Sequence, residues 1–105
     1  MSAVKVFFSA KHQALHDELQ GWLDHSEVVI QGVTMDSNDY GHCLVVLHEP
    51  GSGHRYHAQI FYATRHHDLE QQANEALASA PRGGAQVVAV GSNQYGHCLC
   101  VIREL

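Results

Sequence analysis

The sequence predicts an α+β fold in which one βαββ unit occurs twice. The expectation is six strands and two helices with pseudo-twofold symmetry, in a mixed sheet with both helices packed on one side. Three observations carry this. The segment Ser37-Asn38-Asp39-Tyr40-Gly41-His42-Cys43-Leu44-Val45-Val46 returns 55 positions later as Ser92-Asn93-Gln94-Tyr95-Gly96-His97-Cys98-Leu99-Cys100-Val101, with eight of ten residues identical. Such self-similarity is the mark of an internal repeat. Upstream of each copy lies a helical apolar stripe, and before each stripe a short run rich in aromatic and β-branched residues.

The elements follow in chain order. Val4-Lys5-Val6-Phe7-Phe8 reads as a strand, and Ala58-Gln59-Ile60-Phe61-Tyr62 is its counterpart. Leu15, Leu19, Trp22 and Leu23 then fall at i, i+4, i+7 and i+8, and Leu69, Ala73, Ala76 and Leu77 occupy the same offsets, so each helix has one apolar stripe. Ser9 and Thr64 are candidate N-caps, because a side-chain oxygen there can accept from an unpaired helical N–H. Gly21 weakens the first helix by about 1 kcal/mol relative to alanine; the second is expected to stop before Pro81 and Gly83-Gly84. Val28 to Met35 and Gln86 to Val90 read as second strands. Asp36-Ser37-Asn38-Asp39 and Gly91-Ser92-Asn93-Gln94 supply turns, and Gly41 to Glu49 and Gly96 to Glu104 read as third strands. A helix between the first two strands permits a parallel, right-handed crossover. The following hairpin adds an antiparallel strand, hence the mixed sheet. Repeats 1–50 and 54–105 are joined by Pro50-Gly51-Ser52-Gly53 and belong to one domain, since about fifty residues bury too little surface alone.

Composition bounds the function. Six basic against eleven acidic residues give a net charge of −5, and the scattered arginines form no basic run, which disfavours nucleic acid as partner. The ten histidines allow the net charge to change sign on mild acidification. No stretch approaches the roughly 20 apolar residues of a membrane helix, no signal peptide opens the sequence, and the odd number of cysteines fits a reducing, cytoplasmic setting.

Alternation along a strand places His42, Leu44, Val46 and His48 on one face and Cys43, Val45, Leu47 and Glu49 on the other. His97, Leu99, Val101 and Arg103 match the first set, and Cys98, Cys100, Ile102 and Glu104 the second. His42 and Cys43 therefore point apart and form no chelate by themselves. The candidate ligand-binding residues are Asn38, Tyr40, His42, Asn93, Tyr95 and His97. The leading candidate metal ligands are His42 and His97 across the pseudo-dyad, for a divalent cation such as zinc, with Cys43, Cys98 and Cys100 on the other face as the second set. Packing and turn geometry are the favoured account of the motif: cysteine serves as a small buried hydrophobe, and the exchange of Val45 for Cys100 is what a core position tolerates. His12 and His16, one helical turn apart, suit a surface helix face, and no phosphate loop or nucleophile elbow is present.

In outline, tandem β-α-β units with histidine and glutamate in the strands are similar to the vicinal-oxygen-chelate enzymes, whose βαβββ modules hold a metal in a curved sheet. In that comparison His57 starts a module's first strand, and Glu49 and Glu104 end their last strands. Each half here has one strand fewer and Ala3 stands opposite His57, so the chain is assigned to no family. The expected function is a small non-enzymatic binding or regulatory module that forms a homo-oligomer or meets a protein partner. A metal-binding protein or metalloenzyme using the repeated His/Cys strand is the alternative.

Overall fold

The computed structural model describes residues 1–79 and 86–105, with only the backbone for Gln86. The elements run β1 (Ala3–Ser9), α1 (His12–Asp24), β2 (Val28–Asn38), β3 (Gly41–Pro50), β4 (Tyr56–Ala63), α2 (His66–Ala78), β5 (Gln86–Asn93) and β6 (Gly96–Glu104). The class is α+β. The expected stop signals Pro81, Gly83 and Gly84 lie outside the described residues.

The sheet arrangement corrects the expectation of a mixed sheet. The strands form two three-stranded sheets, ordered β1-β3-β2 and β4-β6-β5, and every ladder is antiparallel. The strands flanking each helix are indeed parallel to one another, but they are not neighbours, because the third strand inserts between them. β3 and β6 take the central position, where both of their edges are hydrogen-bonded.

Helix starts also differ from expectation. Ser9 pairs with His42, so β1 runs through the place where Ser9 was to cap. β4 ends at Ala63, and Thr64 lies in the bend one residue before the N-cap position. The N-cap positions are Lys11 and Arg65, and neither makes a side-chain capping bond. Ser9 instead accepts a bond from the Lys11 N–H at 3.4 Å.

The two sheets converge where β2 runs beside β5 and diverge towards β1 and β4. Helix α1 fills the wedge. Leu15 and Leu19 are fully buried and Leu23 nearly so. They share one core with Phe7, Leu44 and Val46 of the first sheet and Tyr56, Ala58, Ala89, Cys100 and Ile102 of the second. The helix also closes the edge of the second sheet. Gln20 Nε2 donates to the Tyr56 carbonyl (3.1 Å) and Gln20 Oε1 accepts from the Ala58 N–H (2.8 Å). The Ala58 carbonyl accepts from His16 Nε2 at 3.0 Å. Edge backbone groups that would otherwise be free are thereby paired. At the far end of the wedge Tyr56 ties the sheets together, its hydroxyl accepting from the Ile30 N–H at 3.1 Å, beside the bulge between Ile30 and Gly32.

The expectation that both helices lie on one side fails as well. Helix α2 packs on β4 and β6, and its buried Leu69 and Ala73 are not members of the α1 core. Cys100 and Ile102 face α1, so alternation turns the buried Val101 and Arg103 to the opposite face, where α2 lies. The layer order is first sheet, α1, second sheet, α2. The outer face of the first sheet carries no helix among the described residues, and no described helix is long and apolar enough to cross a membrane.

Candidate functional site

Most of the repeated motif is turn and strand-entrance chemistry. Asn38 Oδ1 accepts from the N–H groups of Tyr40 (2.8 Å) and Gly41 (3.1 Å), and Asn93 Oδ1 accepts from those of Tyr95 (2.8 Å) and Gly96 (3.1 Å). Each asparagine thus folds its own hairpin turn. The glycines permit close approach: a Cβ on Gly41 would lie 2.5 Å from the Ser9 carbonyl oxygen, and one on Gly96 would lie 2.6 Å from that of Ala63. The serine that opens each copy sits directly across the ladder from the histidine. Ser37 Oγ lies 2.7 Å from His42 Nδ1, and Ser92 Oγ lies 2.7 Å from His97 Nδ1.

The two turns meet in space. Asn93 Nδ2 donates to the Asn38 carbonyl at 2.8 Å, and β5 crosses β2 so closely that a Cβ on Gly91 would lie 2.5 Å from Ser37 Oγ. Between the turns and the start of α1 opens a cavity of about 310 Å³, lined by Ala10, Lys11, His12, Gln13, Asn38, Asp39, Gly41, His42, Tyr62, Asn93 and Tyr95. The Tyr62 ring lies between two imidazoles, stacked on His12 at 5.4 Å and edge-on to His42 at 6.4 Å. Lys11, His12, the first N–H groups of α1 and the tyrosine hydroxyls offer donors, and Asp39 contributes the one carboxylate of the lining.

Four of the six sequence-predicted site residues line this cavity: Asn38, His42, Asn93 and Tyr95. Tyr40 projects into solvent, 81% exposed. His97 lies beyond the second sheet, on the face opposite the one that meets His42. The two histidines proposed as metal ligands are thus not brought together, and the described residues hold no group of three or more His, Cys, Asp or Glu placed for a metal ion. Cys43, Cys98 and Cys100 are unbridged. Burial pushes the Cys98 thiol up to about 11, and burial followed by the neighbouring Cys98 pushes Cys100 up to about 12. Both are protonated at neutral pH and poor nucleophiles.

The sequence assigned Ser37 to a turn, His12 to a surface helix face and Tyr62 to a strand, placed none of them at the site, and gave no signal for Lys11. Ser37 had a signal, being repeated as Ser92 at the same distance from its histidine. The other three come from the β1–α1 connection, α1 and β4, and only the wedge packing brings them to the turns.

His42 is the buried titratable group of the cavity, 5% exposed. Burial, and secondarily the nearby His12, hold its pKa below the ordinary 6.5. The unfolded side chain titrates near 6.5, so the neutral ring's contribution to stability is complete above that pH. It is lost as pH falls from 6.5 through the lower folded value. Melting temperatures of the native protein and His42→Asn, measured from pH 7.5 to 5.5, will show the steeper acid loss in the native protein; parallel slopes would contradict this.

No family model matches the chain, and neither a curated protein nor a solved structure matches it.

Proposed function

We propose that this protein is a small, non-enzymatic, self-associating binding module of the cytoplasm, with its ligand site in the cavity between the two motif turns and the start of α1. The observation that carries the reading is the convergence of both motif copies on one cavity. Asn38 and His42 come from one copy and Asn93 and Tyr95 from the other. The volume is at the lower end of small-molecule sites, and the combination of aromatic walls with a few polar groups is what such sites use. Tandem duplication of a βαββ unit accounts for this convergence, with the two units stacked in the same sense rather than facing each other, so that His42 looks towards the second sheet and His97 away from it. It is supported by the matching strand orders and the two equivalent Ser–His pairs. Three unbridged cysteines support a reducing compartment.

The lining suits a planar small molecule with an acceptor group, stacked against Tyr62 or Tyr95 and accepting from the donors at the start of α1. Amide NMR titrations with benzoate, acetate and inorganic phosphate test this. Benzoate is expected to shift Lys11, His12, Asn38, Asp39 and Tyr95 together. Tyr62→Ala is expected to weaken that response at least tenfold while the rest of the spectrum stays native. Responses scattered over the surface, or an undiminished response in Tyr62→Ala, would overturn the reading.

A further inference from the structure

We infer that His42, held by Ser37 with its one ring proton on Nε2, selects the ligand of the cavity, and that this ligand is an aromatic carboxylate accepting from that N–H. This rests on the ligand site in the reading above and names its specificity-determining residue, together with the residue that positions it.

The hydrogen bond between these two side chains has one consistent direction. Ser37 Oγ lies 2.7 Å from His42 Nδ1, and the residues are 9% and 5% exposed. The backbone of β5 closes over the hydroxyl at Gly91, and Nδ1 is its hydrogen-bond partner among the described residues. A buried hydroxyl with one acceptor in reach gives its proton to that acceptor. Nδ1 therefore accepts, and the ring proton sits on Nε2. Burial, with His12 nearby, keeps the ring from taking a second proton at neutral pH. The second copy of the motif lacks this constraint. Ser92 Oγ is equally close to His97 Nδ1, at 2.7 Å, but Ser92 is exposed. Water can take its proton there, and either ring nitrogen can carry the hydrogen.

His42 Nε2 has no protein partner among the described residues and is not sealed off from the cavity that the ring lines. The other polar groups of the lining are already bonded or solvated. Asn38 Oδ1 and Asn93 Oδ1 hold their own turns, and Asn93 Nδ2 is bonded to the Asn38 carbonyl. Lys11, Gln13 and Asp39 are exposed, where water competes with a ligand. The Nε2–H group is thus a buried donor left for the occupant of the cavity. An occupant without an acceptor at that point leaves the donor unpaired, and a site built on such a donor rejects the analogue that cannot bond it. A carboxylate oxygen satisfies it; the N–H groups of an amidinium of the same shape would face it. The Tyr62 ring stands edge-on to His42 at 6.4 Å. An aromatic wall and the donor are therefore side by side, as an arene bearing a carboxylate requires.

Benzoate and benzamidine, equal in shape and opposite in hydrogen-bonding sense, test this in about 0.5 M salt, where the exposed Lys11 charge is screened beyond about 4 Å. In amide NMR titrations of the native protein, benzoate is expected to bind at the cavity at least about tenfold more tightly than benzamidine, the scale of one hydrogen bond to a charged group. Nitrogen-15 shifts of the histidine rings at pH 7.5 are expected to show His42 as the Nε2–H tautomer before any ligand is added. Ser37→Ala is expected to mix the two tautomers. His42→Asn keeps an oxygen for the Ser37 hydroxyl but falls short of the Nε2 position. It is expected to bind benzoate about tenfold more weakly and to lose the preference over benzamidine. An Nδ1–H tautomer in the native protein, equal binding of the two probes, or full benzoate affinity in His42→Asn overturns the inference and leaves the cavity site standing. An unchanged tautomer in folded Ser37→Ala overturns the positioning role of Ser37. Absence of any local benzoate response in the native protein overturns the site and the inference together.

Discussion

Leu19→Ala will destabilise the protein by about 2–5 kcal/mol, the range for removing a fully buried leucine from a packed core. That lowers the melting temperature by more than about 10 °C for a domain of this size. Leu19 is completely buried in the middle of α1, in a core drawing on both sheets. The cavity it leaves would be walled by two sheets whose spacing is set independently, by the β2–β5 crossing at one end and Tyr56 at the other. Neither wall can collapse without breaking one of those ties. Leu69 of α2 is the control. It retains 8% exposure and packs against one sheet, so Leu69→Ala is expected to cost less than half as much. Urea unfolding of the three proteins measures the comparison, and equal losses would show that α1 is not the shared core element.

Gly41→Ala is expected to cost about 2–3 kcal/mol, the scale of overpacking where the neighbour cannot move. It should also disable the cavity. The added Cβ would meet backbone on two sides, 2.5 Å from the Ser9 carbonyl oxygen and 2.9 Å from the Ala10 Cα, at a residue whose φ is +155°. Relief requires β3 to move away from the end of β1. That motion carries off Asn38, Asp39 and His42, which line the cavity beside Ala10 and Lys11. A folded Gly41→Ala protein should therefore lose the benzoate response together with its stability. Wild-type stability with an unchanged titration would refute the close-approach explanation of the motif glycine.

The α+β class, the two helices and the six strands were legible because each rests on local pattern. Leu15, Leu19 and Leu23 face the core as their spacing requires, and His42, Leu44 and Val46 share the face that alternation assigned. The turns were legible through Asn38 and Asn93. Strand order was not. A hairpin strand can add outside β2 or slip between β1 and β2, and the local sequence is compatible with both. The choice is made by the pairing of the third strand with the first, a contact between residues 33 to 48 positions apart. The helix sides were hidden for a related reason: α1 and α2 have similar stripes, and a stripe states that a helix is covered without stating by which sheet.

The repeated Asn-x-Tyr-Gly-His-Cys element was where reasoning from sequence reached furthest and stopped. By itself the sequence determined that the element is a turn entering a strand, that His42 and Cys43 face apart, and that Cys100 sits where packing decides. These follow from the two-residue period of a strand and from side-chain bonds spanning at most five residues. Only the tertiary structure decided that the two copies meet through their asparagines, that His42 and His97 stand on opposite sides of the second sheet, and that Tyr62 and His12 complete the cavity. Those relations join residues 20 to 55 positions apart, and they are set by the wedge that α1 opens between two sheets, a shape no local pattern encodes.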